Sequence, residues 1–335
     1  MGTLLAGISN QFRPTRLEKS ASSDRLRPGP YQLEDSAMYP RAFHYHRAQS
    51  LQEACSLLSE LGEEARPLAG GQSLIPLMKL RLASPAHLVD LNFIRKLSYI
   101  EKSGTALRFG ALTRHSEIEA SPVAQQIPIL HDCAAGIADV QVRNWGTLGG
   151  SLAEADPSGD WPPVLLTLPT RAHLVGPQGE RTVPLSEFFV DAYTTALAPA
   201  ELLREIVVDI PPPKSGGAYL AFKRCAPVYA TASIAVQLTM EDKDVCREAR
   251  IALGCVGLTA IRPRDAERAL EGRAVTQKAI DAAAAAARAA AEPQPDSRGS
   301  VEYKRALVAA LTKRAIQIAL RRSRGERVEV SHIYA

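Results

Sequence analysis

Two short runs of this chain set adjacent glycines beside a small hydroxyl residue and a leucine: Ala69-Gly70-Gly71-Gln72-Ser73-Leu74 and Thr147-Leu148-Gly149-Gly150-Ser151-Leu152. A glycine pair lets consecutive backbone N–H groups point the same way, with no Cβ to keep an anion at a distance. The first run follows Ala65–Leu68, which reads as a strand, and precedes Leu74-Ile75-Pro76-Leu77-Met78-Lys79-Leu80, which can open a helical turn. Either pair alone is explained by a tight turn. Together, with the hydroxyls repeated, they read as two nests that grip a diphosphate from opposite sides through main-chain donors, and a dinucleotide is the ligand that carries one. No Gly-x-Gly-x-x-Gly and no Gly-Lys-Ser/Thr occurs, so neither a Rossmann site nor a triphosphate P-loop is indicated.

With 335 residues, 46% of them hydrophobic and 23% charged, the chain can bury a core and divide into two or three domains. The formal net charge is +4, but acidic and basic residues alternate without a long one-signed block, which argues against nucleic-acid binding. The densest basic stretches, Lys313-Arg314 and Arg321-Arg322-Ser323-Arg324, lie near the end of an expected helix and read as a solvated helix face favoured by the dipole. Cysteines stand at 55, 133, 225, 246 and 255 with no Cys-x-x-Cys among them, so no iron–sulfur cluster or structural metal is expected in this chain. They read as isolated, buried small hydrophobes. An odd number of cysteines without a secretory signal, and no apolar run of membrane-spanning length, point to the cytoplasm. Residues 1–37 are rich in Ser, Arg, Pro and Gly and precede Met38, which reads as a natural start, so they are expected to be a disordered or appended leader.

Apolar residues at 51, 54, 55, 58 and 61 share one helical face, with Ser50 as cap and Glu53 completing a capping box before Gly62. A strand at His87–Leu91 and a hairpin from Tyr99 to Gly110 follow, then helices at Arg114–Ala120 and around Ile129–Ala138. Residues 163–210 read as short strands with a helical patch near Pro184–Phe189. The run Pro211-Pro212-Pro213-Lys214-Ser215-Gly216-Gly217 sustains neither helix nor central strand, so a boundary is set there, giving domains 38–213 and 214–335. Beyond it, Ala218–Arg224, Ala232–Met240 and Glu248–Val256 read as three antiparallel strands, followed by helices at Arg262–Glu271, Thr276–Ala291 and Val301–Arg322.

Other candidates have plainer readings. Trp145 is expected in the core, and His115 and His131, with no carboxylate at ligand spacing, are expected to be structural or exposed. Ser73 and Ser151 lack a Gly-x-Ser-x-Gly setting and a histidine partner, so no catalytic nucleophile is assigned. Asp156 and Asp160 form either a carboxylate pair or a proline-bracketed turn.

The run Ala69-Gly70-Gly71-Gln72-Ser73-Leu74-Ile75-Pro76-Leu77-Met78-Lys79-Leu80-Arg81, followed by Arg143-Asn144-Trp145-Gly146-Thr147-Leu148-Gly149-Gly150-Ser151-Leu152-Ala153-Glu154-Ala155-Asp156-Pro157, resembles the flavin-binding medium subunit of molybdenum hydroxylases, the family of carbon monoxide and xanthine dehydrogenases. The resemblance runs from about Met38 to the end and implies an α+β fold: a two-subdomain FAD-binding domain of the vanillyl-alcohol-oxidase type, then a C-terminal domain with a three-stranded antiparallel sheet and helices. It implies FAD contacts from Leu68, Ala69, Gly70, Gly71, Gln72, Ser73 and Leu74, with Arg66 near the nucleotide, and from Thr147, Gly149, Gly150 and Ser151 on the second side. Asp160 matches an acidic position that reaches a sugar hydroxyl, Leu197 an apolar residue against the isoalloxazine, and Lys223 to Ala232 a motif whose aromatic, here Tyr229, lies near the flavin ring. Val228 departs from the acidic residue common before that aromatic.

By the same resemblance the chain is an oxidoreductase subunit that carries electrons. Substrate is oxidised at a molybdenum cofactor in a large partner, two [2Fe–2S] clusters sit in a small partner, the assembly is a dimer of heterotrimers, and an external acceptor takes the electrons. Two alternatives stay open at this point: a free-standing FAD-dependent oxidase of the vanillyl-alcohol-oxidase type, in which Gln72 stands where many attach flavin covalently, and a non-catalytic scaffold of the same fold.

Overall fold

The computed structural model describes residues 39–225 and 228–330 and the backbone of the strand 333–334, so the leader expected at 1–37 lies outside the described residues. The described residues belong to one compact unit. The chain enters through β1 (His44–Arg47), α1 (Leu51–Leu61), β2 (Ala65–Leu68), α2 (Leu74–Lys79) and β3 (His87–Asp90). The three strands form a parallel sheet in the order β1-β3-β2, which requires crossover connections, and α1 is the first of them. Ser50 starts α1 by accepting the Glu53 amide at 3.1 Å, while Glu53 reaches past the cap to the Gln49 amide at 2.7 Å. Gly62, at φ +59, stops it where a side chain would be strained.

A five-stranded antiparallel sheet follows, built from β4 (Ile100–Ser103), β5 (Ala106–Gly110), β6 (Thr170–Gly176), β7 (Gly179–Pro184) and β10 (Leu202–Asp209) in the order β4-β5-β10-β6-β7. Between β5 and β6 come α3 (His115–Ala120), α4 (Pro128–Gly136), α5 (Val140–Trp145), α6 (Leu148–Glu154) and α7 (Trp161–Leu166). The sequence reading did not anticipate α5, α6 or α7. In α7 the prolines 162 and 163 fall in the first turn, where a missing N–H leaves no bond unmade. A small hairpin of β8 (Phe189–Asp191) and β9 (Thr194–Thr195) precedes β10.

The last sheet contains the three expected antiparallel strands, β11 (Ser215–Lys223), β12 (Ala232–Met240) and β13 (Cys246–Gly254), and a fourth of two residues, β14 (Ile333–Tyr334), parallel to β11. Every residue of β12 is buried because both faces are covered. Ala218, Leu220, Ile234 and Val236 pack under α9 (Gln277–Ala290) and α10 (Val301–Ser323). Tyr219, Ala221 and Ala235, one step out of phase, join the core that also contains Phe109, Ile118 and Trp161. Two halves distant in sequence therefore share one apolar interior.

Several expectations are corrected here. Ser215-Gly216-Gly217 lies inside β11, because α10 crosses so close that a Cβ on Gly216 would overlap the Ala319 carbonyl. The helix expected at Arg262–Glu271 shrinks to α8 (Arg264–Arg268), since Pro263 forms its cap. Arg322 is not solvated. Its side chain is 8% exposed and holds buried Asp132 of α4 through two bonds, at 2.6 and 2.9 Å, because a carboxylate out of water requires a countercharge. Trp145, expected in the core, is 60% exposed at the end of α5, and Trp161 takes the buried position.

Candidate cofactor-binding site

The chain leaves β2 at Leu68, turns through Gly71 at φ +70 and enters α2. This turn forms one wall of a cavity of about 620 Å³. Every site residue singled out from the sequence, from Arg66 through the two glycine runs to Asp160, Leu197, Lys223 and Tyr229, lines this one cavity.

The two glycine runs are built differently. In the first, the amides of Gly70, Gly71, Gln72 and Ser73 donate to no acceptor among the described residues, and the Ser73 hydroxyl is equally unengaged. The Gln72 side chain folds back to the Gly70 carbonyl at 3.2 Å, and Arg66 Nη1 donates to the carbonyls of Glu63 and Ala65 at 2.9 and 2.8 Å.

The second run is the first turn of α6, and the expected second nest of free amides is not there. Leu148 N donates to Thr113 O at 2.9 Å and Gly149 N to Ala111 O at 2.8 Å. Gly150 N donates to the Thr147 hydroxyl at 3.0 Å, and Ser151 N to Thr147 O at 3.0 Å. These glycines serve close approach instead. A Cβ on Gly149 would lie 2.6 Å from Ala111 Cβ, and one on Gly150 would stand 2.7 Å from Thr147 Oγ1 and 3.6 Å from Ala69 Cβ. The second run thus packs directly beneath the first and offers the cavity side-chain oxygen, from Ser151, in place of backbone donors.

Asn92 and Arg114, which the sequence reading missed, brace the two runs. Asn92 Nδ2 donates to Ala69 O at 2.8 Å, and Arg114 Nη2 donates to Asn92 Oδ1 at 2.6 Å. Arg114 Nη1 also donates to the Trp145 carbonyl, the group a Cβ on Gly70 would strike. These partners lie 22 to 31 positions apart, so no local pattern announces them.

His115 is buried beneath the second run, as a structural residue was expected to be. Its Nδ1 accepts the Trp161 indole N–H at 3.1 Å, and burial, aided by Arg114 and Arg143, pushes its pKa down to about 3. Asp156 closes a turn, accepting Ser158 N at 2.8 Å, so the turn reading holds for it. Asp160 Oδ1 accepts the Tyr219 hydroxyl at 2.6 Å and lies 3.5 Å from Lys223 Nζ. Tyr229 and Tyr193, the second of which the sequence reading also missed, both line the cavity and both are exposed. Burial and the Asp156 carboxylate raise the pKa of both hydroxyls. Among the described residues no three His, Cys, Asp or Glu side chains converge to hold a metal ion, and no helix is long and apolar enough to cross a membrane.

The chain resembles known proteins along most of its length. Residues 41–212 match the family of FAD binding domains in molybdopterin dehydrogenase, and residues 217–319 match the CO dehydrogenase flavoprotein C-terminal domain. The carbon monoxide dehydrogenase medium chain of Afipia carboxidovorans is 42% identical over 86% of this chain and 100% of its own length. Subunit alpha of the 6-hydroxypseudooxynicotine dehydrogenase complex of Paenarthrobacter nicotinovorans is 38% identical over 88% of this chain and 100% of its own. A solved carbon monoxide dehydrogenase from Hydrogenophaga pseudoflava, which lacks the Mo-pyranopterin moiety of its molybdenum cofactor, superposes with a TM-score of 0.83 at 42% identity, covering 85% of this chain and 99% of that one.

Proposed function

This chain belongs to the family of FAD-binding medium subunits of molybdenum hydroxylases, and from that premise we propose that it is the electron-transfer flavoprotein of such a complex. The observation that carries the reading is the row of unengaged amides from Gly70 to Ser73 in the wall of a cavity of about 620 Å³. Donors of this kind suit an anion that no side chain could approach as closely.

In this reading Gly70, Gly71, Gln72 and Ser73 hold the diphosphate of FAD, Leu68, Ala69 and Leu74 shape the loop, and Arg66 lies on the nucleotide side. Thr147, Gly149, Gly150 and Ser151 close the second wall, the glycines by their lack of bulk. Asp160 meets a sugar hydroxyl, while Leu197, Lys223 and Tyr229 stand toward the isoalloxazine and limit the water that reaches it. When bound, FAD supplies a carrier that exchanges electrons singly or in pairs, and the protein sets its position and solvent access. The chain divides into an FAD-binding domain at 38–213 and a C-terminal flavoprotein domain at 214–335, a division supported by the spans of the two family matches. No acid–base residue is required of it.

The partners are a large subunit with the molybdenum cofactor, where substrate is oxidised, and a small subunit whose two [2Fe–2S] clusters deliver the electrons that leave to an external acceptor. Assembly is a dimer of heterotrimers in the cytoplasm. The names of the relatives, medium chain and complex subunit, support a multi-subunit setting.

The test is to purify the chain alone and with the products of the genes adjoining its own, and to record visible spectra before and after adding candidate substrates. Flavin colour in the isolated chain, with substrate-dependent bleaching only when partners are present, is expected. Turnover by the isolated chain would instead indicate the free-standing oxidase, and a colourless protein that cannot be reconstituted with FAD would indicate a scaffold.

A further inference from the structure

The wall of the cavity from Asp156 to Asp160 precedes the C-terminal sheet in sequence, yet C-terminal residues hold it. Cys255 N donates to Pro157 O at 3.2 Å, Arg298 Nη1 to Ser158 Oγ at 3.1 Å, and the Tyr219 hydroxyl to Asp160 Oδ1 at 2.6 Å. Tyr219 is completely buried in β11 and is itself fixed, because its amide donates to Asp132 Oδ2 at 3.2 Å while Arg322 clamps that carboxylate. Lys223, on the same strand, is anchored by the Gly136 carbonyl at 2.6 Å, which keeps its ammonium 3.5 Å from Asp160 Oδ1. Asp160 Oδ2 has no partner among the described residues, and Asp160 lines the cavity.

A carboxylate turns about its bond unless a donor holds one oxygen, and a fixed hydroxyl donor is a strong hold because bonds to charged acceptors are short and favourable. Here the buried tyrosine offers the shorter bond. Resting on the functional reading above, we propose that Tyr219 is a positioning residue for the cofactor: with Lys223 on the same side, it fixes Oδ1 of Asp160, so that Oδ2 stays free for a sugar hydroxyl of FAD. The C-terminal sheet thereby completes a binding site whose phosphate half lies in the N-terminal part of the chain. The raised pKa of the Tyr219 hydroxyl, caused by burial and the nearby Asp160 charge, keeps it a donor across the working pH range.

The experiment measures FAD dissociation constants of the full-length chain by flavin fluorescence for the wild type, Tyr219→Phe, Asp160→Ala and the double variant, with apoprotein melting as the check on folding. Tyr219→Phe removes one hydroxyl and should weaken FAD binding about 10-fold. In the Asp160→Ala background the same change should alter binding less than about 2-fold, because the group it positions is gone. A Tyr219→Phe effect of equal size in both backgrounds, or none in the first, overturns the proposal. If Tyr219→Phe does not fold, Asp160→Asn decides: its amide oxygen still accepts the Tyr219 hydroxyl, so it should bind FAD at least about 5-fold more tightly than Asp160→Ala, and equal losses in the two would overturn the inference. A wild-type chain that binds no FAD would sink the functional reading itself, whereas FAD binding with an indifferent Tyr219 sinks only the positioning role.

Discussion

At Gly70-Gly71 the backbone amides are unengaged and the chain passes through φ +70, whereas at Gly149-Gly150 the chain is helical and each amide already has an acceptor. The residue pattern is nearly the same in both. What differs is the neighbour: the first pair ends a strand and turns into open cavity, while the second follows Thr147, whose hydroxyl caps a helix and consumes the donor next in line. Glycine therefore supplies conformational freedom and bare donors in one place and only the absence of bulk in the other.

The largest effect expected from this contrast comes from valine at each position. Gly70→Val sets a branched side chain against the Trp145 carbonyl and should abolish FAD retention after gel filtration, and because a backbone group must shift it should lower the apoprotein melting temperature as well. Gly149→Val intrudes on Ala111 in a buried contact and should cost about 1–3 kcal/mol of stability, roughly 5 °C in apoprotein melting temperature. A loss of FAD retention in Gly149→Val as complete as in Gly70→Val would erase the distinction between the runs.

A smaller effect follows from His115, which lies under the second run, where a Cβ on Gly146 would come within 2.8 Å of its ring. Its folded pKa, about 3, is below the unfolded value near 6.5, so the unfolded chain binds the proton first. The His115 contribution to stability is therefore fully present above about pH 6.5 and is lost as pH falls toward 3, at up to about 1.4 kcal/mol per pH unit. Denaturant titrations between pH 7 and 5 should show this slope, and His115→Asn should flatten it; an unchanged slope would mean that other groups govern acid sensitivity.

The smallest effect separates the hydroxyls. Thr147→Ala removes a helix cap and should cost about 1 kcal/mol of stability, while Ser73→Ala should leave the melting temperature alone and weaken FAD binding only. Reversed outcomes in melting and FAD titration would exchange the roles given to the two runs.

Much of the fold was legible because its signals are local. The strand Ala65–Leu68 matches the expected bounds, and Ser50, Gly62, Thr276 and Ser300 cap or end helices as their types dictate. The failures come where distant segments override local preference. Gly216 and Gly217 read as a breaker and stand in a strand, where α10 leaves no room for a side chain on the first and Gln237 leaves none on the second. Arg322 reads as a solvated cation and is buried because Asp132 lies opposite it. Trp145 reads as core, yet it is exposed, and its carbonyl lies against Gly70 of the first glycine loop.

Order along the chain determined which residues could bend without a Cβ, which could cap a helix and which segments had to be buried, because those properties belong to each side chain and its near neighbours. It also placed in one list the residues that line the cavity. Which of the two glycine pairs would keep its amides free, and which donor would hold Asp160, depended on the arrival of Thr113, Ala111 and Tyr219 from elsewhere in the chain. A hydrogen bond is made only when its partner arrives, and that is a property of the packed molecule.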